Sequence, residues 1–144
     1  EALAAGIVLN PLSGSLHVDQ AVAIRPLLST AEKLRVLDDA FSHYGKAYDF
    51  EFDFTRSDRL VCTELIYRSL HGKGKLAFTL KPRYGRPTLS ADDIAAYIAA
   101  NLDGQQPLFE IVAISRKDTQ SGASTFYAGT AAKAEFLTTV PEPG

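Results

Sequence analysis

The sequence predicts an α+β protein in which an antiparallel sheet packs against helices. Helical and extended segments follow one another without the regular βαβ alternation that indicates a parallel sheet. The chain has 144 residues, of which 46% are hydrophobic and 22% charged, a composition typical of a folded domain with one core. We therefore expect a single domain over residues 1–140 and a frayed, proline-containing tail over residues 141–144.

The first part of the chain carries the signals of one strand and one helix. Residues 18–24 alternate apolar with small or polar side chains and then meet a proline, which predicts a half-buried strand. Ser29 and Glu32 have the spacing of a capping box, in which each side chain accepts a hydrogen bond from the other residue's backbone amide. Apolar residues follow at helical spacing, so we predict a helix over residues 30–43 that stops at Gly45.

The middle of the chain combines an alternating segment with a second helix. Over residues 48–54, four aromatic side chains alternate with three acidic ones. This period of two predicts an extended segment whose acidic residues, Asp49 among them, lie on a solvated face. Ser57 or Asp58 is placed to cap a helix that runs to about Leu70.

The remaining part of the chain is predicted to hold one helix and several strands. Ser90 precedes acidic residues and is placed to cap a helix through Leu102. The basic residues between positions 73 and 86 are interpreted as a solvated loop. Extended segments are predicted over residues 76–80, 108–115, 125–127 and 134–140.

Composition excludes several classes of function. The 15 basic and 17 acidic residues give a net charge of −2, which argues against a nucleic-acid surface. No apolar run is long enough to cross a bilayer. A single cysteine excludes an intramolecular disulfide and a cysteine-based zinc site. We expect neither a metal nor a cofactor.

Cys62 is the candidate for covalent chemistry. With a helix cap at Ser57 or Asp58, the thiol lies in or near the first helical turn, where free amides and a partial positive charge favour the thiolate. A thiolate is the reactive form in covalent catalysis, and it needs a base, usually histidine. The alternative is an inert, buried thiol that packs as a small hydrophobic side chain.

Two blocks of sequence around this cysteine resemble a known enzyme family. Gly45–Phe54 reads GKAYDFEFDF, and Asp58–Tyr67 reads DRLVCTELIY. Together they closely resemble the circularly permuted, YiiX/YebB-like branch of the NlpC/P60 papain-like cysteine hydrolases, and the likeness extends from Gly6 to about Asn101. The resemblance implies a circularly permuted papain-like fold, in which the strand with the catalytic histidine precedes the cysteine helix.

The resemblance also implies roles for individual residues. Cys62 would be the nucleophile, polarised by a histidine that a third polar residue orients. Glu1 stands where the family's orienting glutamate is found, so the histidine is expected among residues that precede this chain. The lack of any methionine agrees with a native start before Glu1. Tyr48 matches a family tyrosine that lies by the nucleophile, with a core aromatic as the alternative, and Thr63 is expected to contact substrate.

None of the three histidines in the chain matches the family's catalytic histidine. His17 is interpreted as a surface-loop residue. His43 lies at a helix C-terminus, where positive charge is favourable, and is interpreted as a cap. His71 follows the predicted cysteine helix, so about 13 Å of helix separates it from Cys62 at roughly 1.5 Å per residue.

The resemblance favours a substrate other than cell-wall peptide. Peptidoglycan-cleaving relatives carry an aspartate before the cysteine that helps to anchor a substrate amine, and here Val61 replaces it. The implied function is a thiol hydrolase or acyltransferase that cleaves an amide or ester through a Cys62 thioester. Its substrate would be a small molecule, a peptide or an acyl lipid, with an acyl lipid or N-acyl amide suggested by analogy.

Two other functions stay open at this point. The first is a ligand- or lipid-binding module on the same fold without turnover, and the second is a structural domain with an inert thiol. We expect a soluble protein of the bacterial cytoplasm or periplasm, with neither a nucleic-acid partner nor a transmembrane segment.

Overall fold

The computed structural model describes residues 6–16 and 18–140. These residues form a mixed α+β structure with an antiparallel sheet, as the sequence predicts. Of the described residues, 6–9 and 28–94 form a first compact unit, whereas 10–16, 18–27 and 95–140 form a second. Within the described part, no helix has the length and apolar character that a bilayer span requires.

The helices and strands have the following bounds. In chain order they are α1 (Leu12–Ser15), β1 (Gln20–Pro26), α2 (Thr30–Ser42), β2 (Ala47–Tyr48), β3 (Arg59–Leu60), α3 (Cys62–Leu70), β4 (Lys81–Arg83), β5 (Arg86–Thr88), α4 (Ala91–Ala100), β6 (Phe109–Lys117), β7 (Ser124–Ala128) and α5 (Gly129–Thr139). The strands predicted at 18–24, 108–115 and 125–127 are confirmed as β1, β6 and β7 with small shifts of their ends.

The second unit contains the antiparallel sheet, in the order β1-β6-β7. The register between β1 and β6 shifts after Ala23, so that Val112 has no partner on β1. A bulge of this kind reverses the alternation of side chains along the strand. Ile111 and Ile114 are therefore both buried although they are three residues apart, and Phe109 is buried with them.

Helix α5 covers this sheet and replaces a strand predicted over residues 134–140. The helix packs against β6, and Ala132 and Phe136, one helical turn apart, are both buried. The strand prediction is wrong because it followed the β-branched residues at 138–140. The preceding alanines favour helix, and burial of one helical face determines the outcome.

The first unit is built around the packed pair α2 and α3. The capping box of α2 is confirmed, since the Glu32 amide donates to Ser29 Oγ and the Ser29 amide donates to the Glu32 carboxylate. The backbone of Gly45 has φ of 80° just past the helix, as the predicted stop requires.

The segment between α3 and α4 differs from the prediction. No strand forms over residues 76–80, where the buried side chains of Leu76 and Phe78 belong to irregular backbone. The antiparallel hairpin β4–β5 follows instead, within a region interpreted from the sequence as a solvated loop.

Replacement of Phe136 tests the packing of α5 on the sheet. Phe136→Ala should lower the free energy of unfolding by about 3 kcal/mol, because a buried ring leaves a cavity. Leu137→Ala, at a neighbouring position that is 44% exposed, should cost less than about 1 kcal/mol. Urea denaturation of both variants measures the difference, and equal losses would contradict this packing.

Candidate functional site

Cys62 is the first residue of helix α3, and its side chain is exposed. Val61 is the N-cap residue in extended conformation, and no side chain caps the first turn. The prediction that Cys62 lies in the first turn is confirmed, but a cap at Ser57 or Asp58 is wrong. The buried thiol of the alternative interpretation is not observed.

The start of α3 is set by burial rather than by a polar cap. Leu60 and Val61 are both fully buried immediately before Cys62. Leu60 also belongs to β3, which pairs in parallel with β2. Asp58 cannot serve as the cap because it lies before this strand, where its carboxylate pairs with Arg56 and Arg59. Cys62 is thus presented to solvent directly after an anchored segment.

A buried ion pair ties this helix to the loop in front of it. The Glu64 side chain is fully buried, and its Oε1 lies 2.6 Å from Arg68 Nη2. Arg68 also donates hydrogen bonds to the backbone carbonyl oxygens of Phe54 and Arg56. Burial raises the pKa of Glu64, and the Arg68 guanidinium partly offsets this.

The predicted extended segment over residues 48–54 is a turn. Strand β2 ends at Tyr48, and Asp49 is fully buried instead of solvated. Its carboxylate accepts hydrogen bonds from the backbone amides of Glu51 (3.0 Å) and Asp53 (2.7 Å). A buried aspartate that binds nearby amides folds the chain back on itself. The prediction fails because this local bonding outweighs the period of two.

A pocket of about 460 Å³ lies beside Cys62 within the first unit. Its described walls come from the turn after Asp49, from the first turn of α3, from the β4–β5 hairpin and from the start of α4. The residues that matter most for its chemistry are Phe52, Phe54, Cys62, Thr63, Tyr84 and Leu89. The site therefore joins a thiol to aromatic and aliphatic surfaces.

The hairpin wall of the pocket is held by Asp93. This largely buried carboxylate lies 2.7 Å from Arg83 Nη1 and 3.0 Å from Lys81 Nζ. It also accepts a hydrogen bond from the Ser90 amide, and the Asp93 amide donates to Ser90 Oγ. The predicted cap of α4 at Ser90 is thus confirmed, whereas Lys81 and Arg83 lie on a strand of the hairpin and not in the predicted loop. Hydrogen bonding to Arg83 holds the pKa of Asp93 well below its usual range.

Tyr48 in β2 pairs with Leu60 in β3, two residues before Cys62. Burial raises the pKa of the Tyr48 hydroxyl, and Cys62 and Asp49 contribute smaller effects in the same direction. The Tyr48 ring also makes edge contacts with Phe50 and Phe52, at centroid distances of 5.0 and 6.5 Å. The structure thus brings Tyr48 and Thr63 to the neighbourhood of Cys62. Glu1 lies outside the described residues.

None of the described residues that line the pocket is a histidine. His71 is the C-cap of α3, at the opposite end from Cys62, and its ring stacks on Tyr67 at 4.7 Å. His43 is the C-cap of α2, as predicted. Burial, with the nearby charges of Lys46 and Arg68, lowers the pKa of His43, so the expected positive charge there is disfavoured. His17 lies outside the described residues.

The sequence does not predict most of the pocket wall. Phe52 falls in the segment predicted to be extended, and Tyr84 falls in the region interpreted as a loop. The signal available for Tyr84 was the Tyr84-Gly85 pair, since a two-residue hairpin turn favours glycine. Within residues 6–16 and 18–140, no group of three or more His, Cys, Asp or Glu side chains is placed to hold a metal ion.

The ion pair in α3 predicts an asymmetric mutational response. Arg68→Met should lower the free energy of unfolding by about 3 kcal/mol, because it leaves the buried Glu64 carboxylate without a counter-ion. The double variant Glu64→Leu with Arg68→Met should recover at least about 1 kcal/mol of this loss, since no buried charge remains. Urea denaturation measures both values. A double variant no more stable than Arg68→Met would contradict the assigned role of the pair.

The Asp93 cluster predicts a pH-dependent loss of stability. Asp93→Asn keeps an oxygen for the cap but removes the charge, so it should cost about 1–2 kcal/mol at neutral pH. The folded pKa lies below the ordinary value of 3.8, so the unfolded chain takes up the proton first as the pH falls. The carboxylate's contribution is therefore complete well above pH 3.8 and is lost as the pH falls towards the lowered folded pKa.

Denaturation of the wild type and of Asp93→Asn over a pH series measures this effect. The difference between the two proteins should shrink in acid. A difference that stays constant down to the acid limit of folding would contradict the assignment.

The chain was compared with models of protein families, with curated proteins and with solved structures, and none of the three comparisons found a match. The resemblance of Gly45–Phe54 and Asp58–Tyr67 to the permuted NlpC/P60 enzymes therefore stays a prediction from the sequence. The function of this chain has to follow from the pocket and the side chains around Cys62.

Proposed function

We propose that this chain is a thiol hydrolase or acyltransferase that forms a thioester on Cys62. The observation that carries the proposal is an exposed cysteine at the first residue of α3, beside a pocket of about 460 Å³. The amides of a first helical turn have no partners within the helix. They can donate to the oxygen of a carbonyl under attack.

The reaction would proceed in two steps. The Cys62 sulfur attacks the carbonyl carbon of an amide or ester, and a carbon–sulfur bond forms. The carbon–nitrogen or carbon–oxygen bond breaks, and the amine or alcohol leaves with the proton that the thiol gave up. Water then attacks the thioester in a hydrolase, or a second nucleophile attacks it in an acyltransferase. The products are a free acid or a transferred acyl group, together with the regenerated thiol.

The residues near Cys62 fit this reaction in part. Tyr48 supplies a hydroxyl that is protonated at neutral pH, as tyrosine ordinarily is, so it can donate a hydrogen bond to the substrate. Thr63 lines the pocket next to the nucleophile. A histidine base has to come from outside the described residues. Glu1, which is proposed to orient that histidine, also lies outside them. The permuted papain-like arrangement belongs to the same proposal.

The pocket surface favours an acyl group over a charged peptide terminus. Its aromatic and aliphatic walls include Phe52, Phe54 and Leu89, and burial of such surface is the main source of affinity for an apolar chain. Val61, which stands where relatives carry an amine-binding aspartate, is fully buried and uncharged. We therefore propose an acyl lipid or N-acyl amide as the substrate class.

A binding module without turnover is the second candidate. It is favoured by the absence of histidine among the described residues that line the pocket. The same apolar walls would then hold an acyl chain non-covalently. The two candidates share their ligand chemistry and differ in whether Cys62 becomes acylated.

Acylation by an activated ester separates the two candidates. With p-nitrophenyl octanoate, the wild type should gain one octanoyl group on Cys62 and release p-nitrophenolate. Tyr48→Phe should slow this step by roughly tenfold, since it removes one hydrogen bond to the reacting group. Intact-protein mass spectrometry and absorbance measure the two products.

Cys62→Ala is the matched control and should abolish the acyl adduct. A wild type that is acylated no faster than a free cysteine at the same pH would contradict the catalytic proposal. Binding of octanoate with unreactive Cys62 would then support the binding module.

A further inference from the structure

Two aromatic residues of the Cys62 pocket have left-handed backbone conformations. Phe52 has φ of 53° and Tyr84 has φ of 52°. Among the described residues other than glycine, only these two have positive φ. Bulky side chains rarely adopt this region, because Cβ approaches the following carbonyl oxygen. Both residues line the same pocket.

The Asp49 carboxylate fixes the turn that contains Phe52. The buried carboxylate accepts the amides of Glu51 and Asp53, the residues on either side of Phe52. Strained conformations persist where the surrounding structure determines them in this way. The Phe52 side chain is 51% exposed, so the turn places a large apolar ring partly in solvent.

Tyr84 occupies the tip of the β4–β5 hairpin. Arg83 pairs with Arg86, so Tyr84 and Gly85 form a two-residue turn with positive φ at both positions. Such turns favour asparagine or glycine at the first position. The tyrosine is 102% exposed, so packing against the protein does not explain its presence at a strained position.

The charged groups around the two rings already have partners. Arg83 pairs with Asp93, and Glu51 pairs with Arg56 at 3.5 Å. Phe52 and Tyr84 therefore contribute exposed aromatic surface to this pocket, and their chemistry suits an apolar group. Large apolar side chains held at the mouth of a cavity are typical of ligand contact.

We propose that Phe52 and Tyr84 form an aromatic clamp that selects substrates with a long acyl chain. The clamp rests on the proposed function, because it determines which acyl groups reach Cys62. The two turns hold both rings at the pocket. The two residues are specificity-determining and take no part in proton transfer.

N-Alkylmaleimides test the clamp without any need for turnover. The Cys62 thiol adds across the maleimide double bond, so a carbon–sulfur bond forms, the ring carbon takes up a proton, and no group leaves. In the wild type, N-octylmaleimide should react with Cys62 at least about tenfold faster than N-ethylmaleimide, because burial of extra methylene groups is favourable. The two second-order rate constants are measured by mass spectrometry.

Asparagine variants separate ligand contact from a structural role. Asparagine tolerates the left-handed region, so Phe52→Asn and Tyr84→Asn should each raise Tm by roughly 3 °C. Each variant should lose most of the preference for the octyl reagent, measured as the ratio of its rate constants with the octyl and ethyl reagents. Phe126→Ala is the control, since this ring is 68% exposed in β7 and remote in sequence, and it should keep the preference.

Several outcomes would overturn the clamp. They are equal rates for the two reagents in the wild type, an unchanged preference in both asparagine variants, or an equal loss in Phe126→Ala. A lower Tm in both asparagine variants would show that the rings are structural and would also overturn it.

Failure of the proposed function gives a different pattern. Octyl preference with maleimides but no acyl-enzyme from p-nitrophenyl octanoate supports the clamp and contradicts catalysis. Acylation that proceeds equally well with acetyl and octanoyl esters contradicts the clamp alone.

Discussion

The ion pair between Glu64 and Arg68 is the interaction on which the candidate site depends. A fully buried carboxylate is tolerated in a protein interior only with a close counter-charge. Here the counter-charge comes from one turn further along the same helix, and its remaining donors bind the carbonyl oxygens of Phe54 and Arg56. The first turn of α3, which carries Cys62, and the loop that forms one wall of its pocket are therefore fixed together.

Asp49 completes this arrangement from the other side of the loop. It uses its carboxylate for local amides, and in doing so it forces Phe52 into a strained backbone conformation. Asp49 and Glu64 are close enough for the charge of Asp49 to raise the pKa of Glu64 further. Burial of two carboxylates in one small unit has a desolvation cost. Their hydrogen bonds and ion pair fix the backbone at the mouth of the pocket.

The sequence predicts those features that depend on residues close together in the chain. The caps at Ser29 and Ser90 each need a partner three residues later, and both are confirmed. Cys62 also lies in the predicted first turn, but the polar cap that predicted this does not form, and burial of Leu60 and Val61 sets the start of the helix. The turn at Asp49 was missed because its aromatic and acidic neighbours also fit a strand, and burial of one carboxylate decides between the two. The pocket was not predicted because its hairpin wall depends on the interaction between Arg83 and Asp93, which are ten residues apart in the chain.

In the proposed function, ligand binding and proton transfer depend on different groups. The aromatic rings of Phe52 and Tyr84 and the thiol of Cys62 belong to the first unit. The described histidines are occupied elsewhere, His71 against Tyr67 and His43 at the end of α2. An apolar chain can therefore be held at Cys62 whether or not a base is present. A hydrolase and a binding module would share this pocket, and the delivery of one imidazole to the sulfur would convert the second into the first.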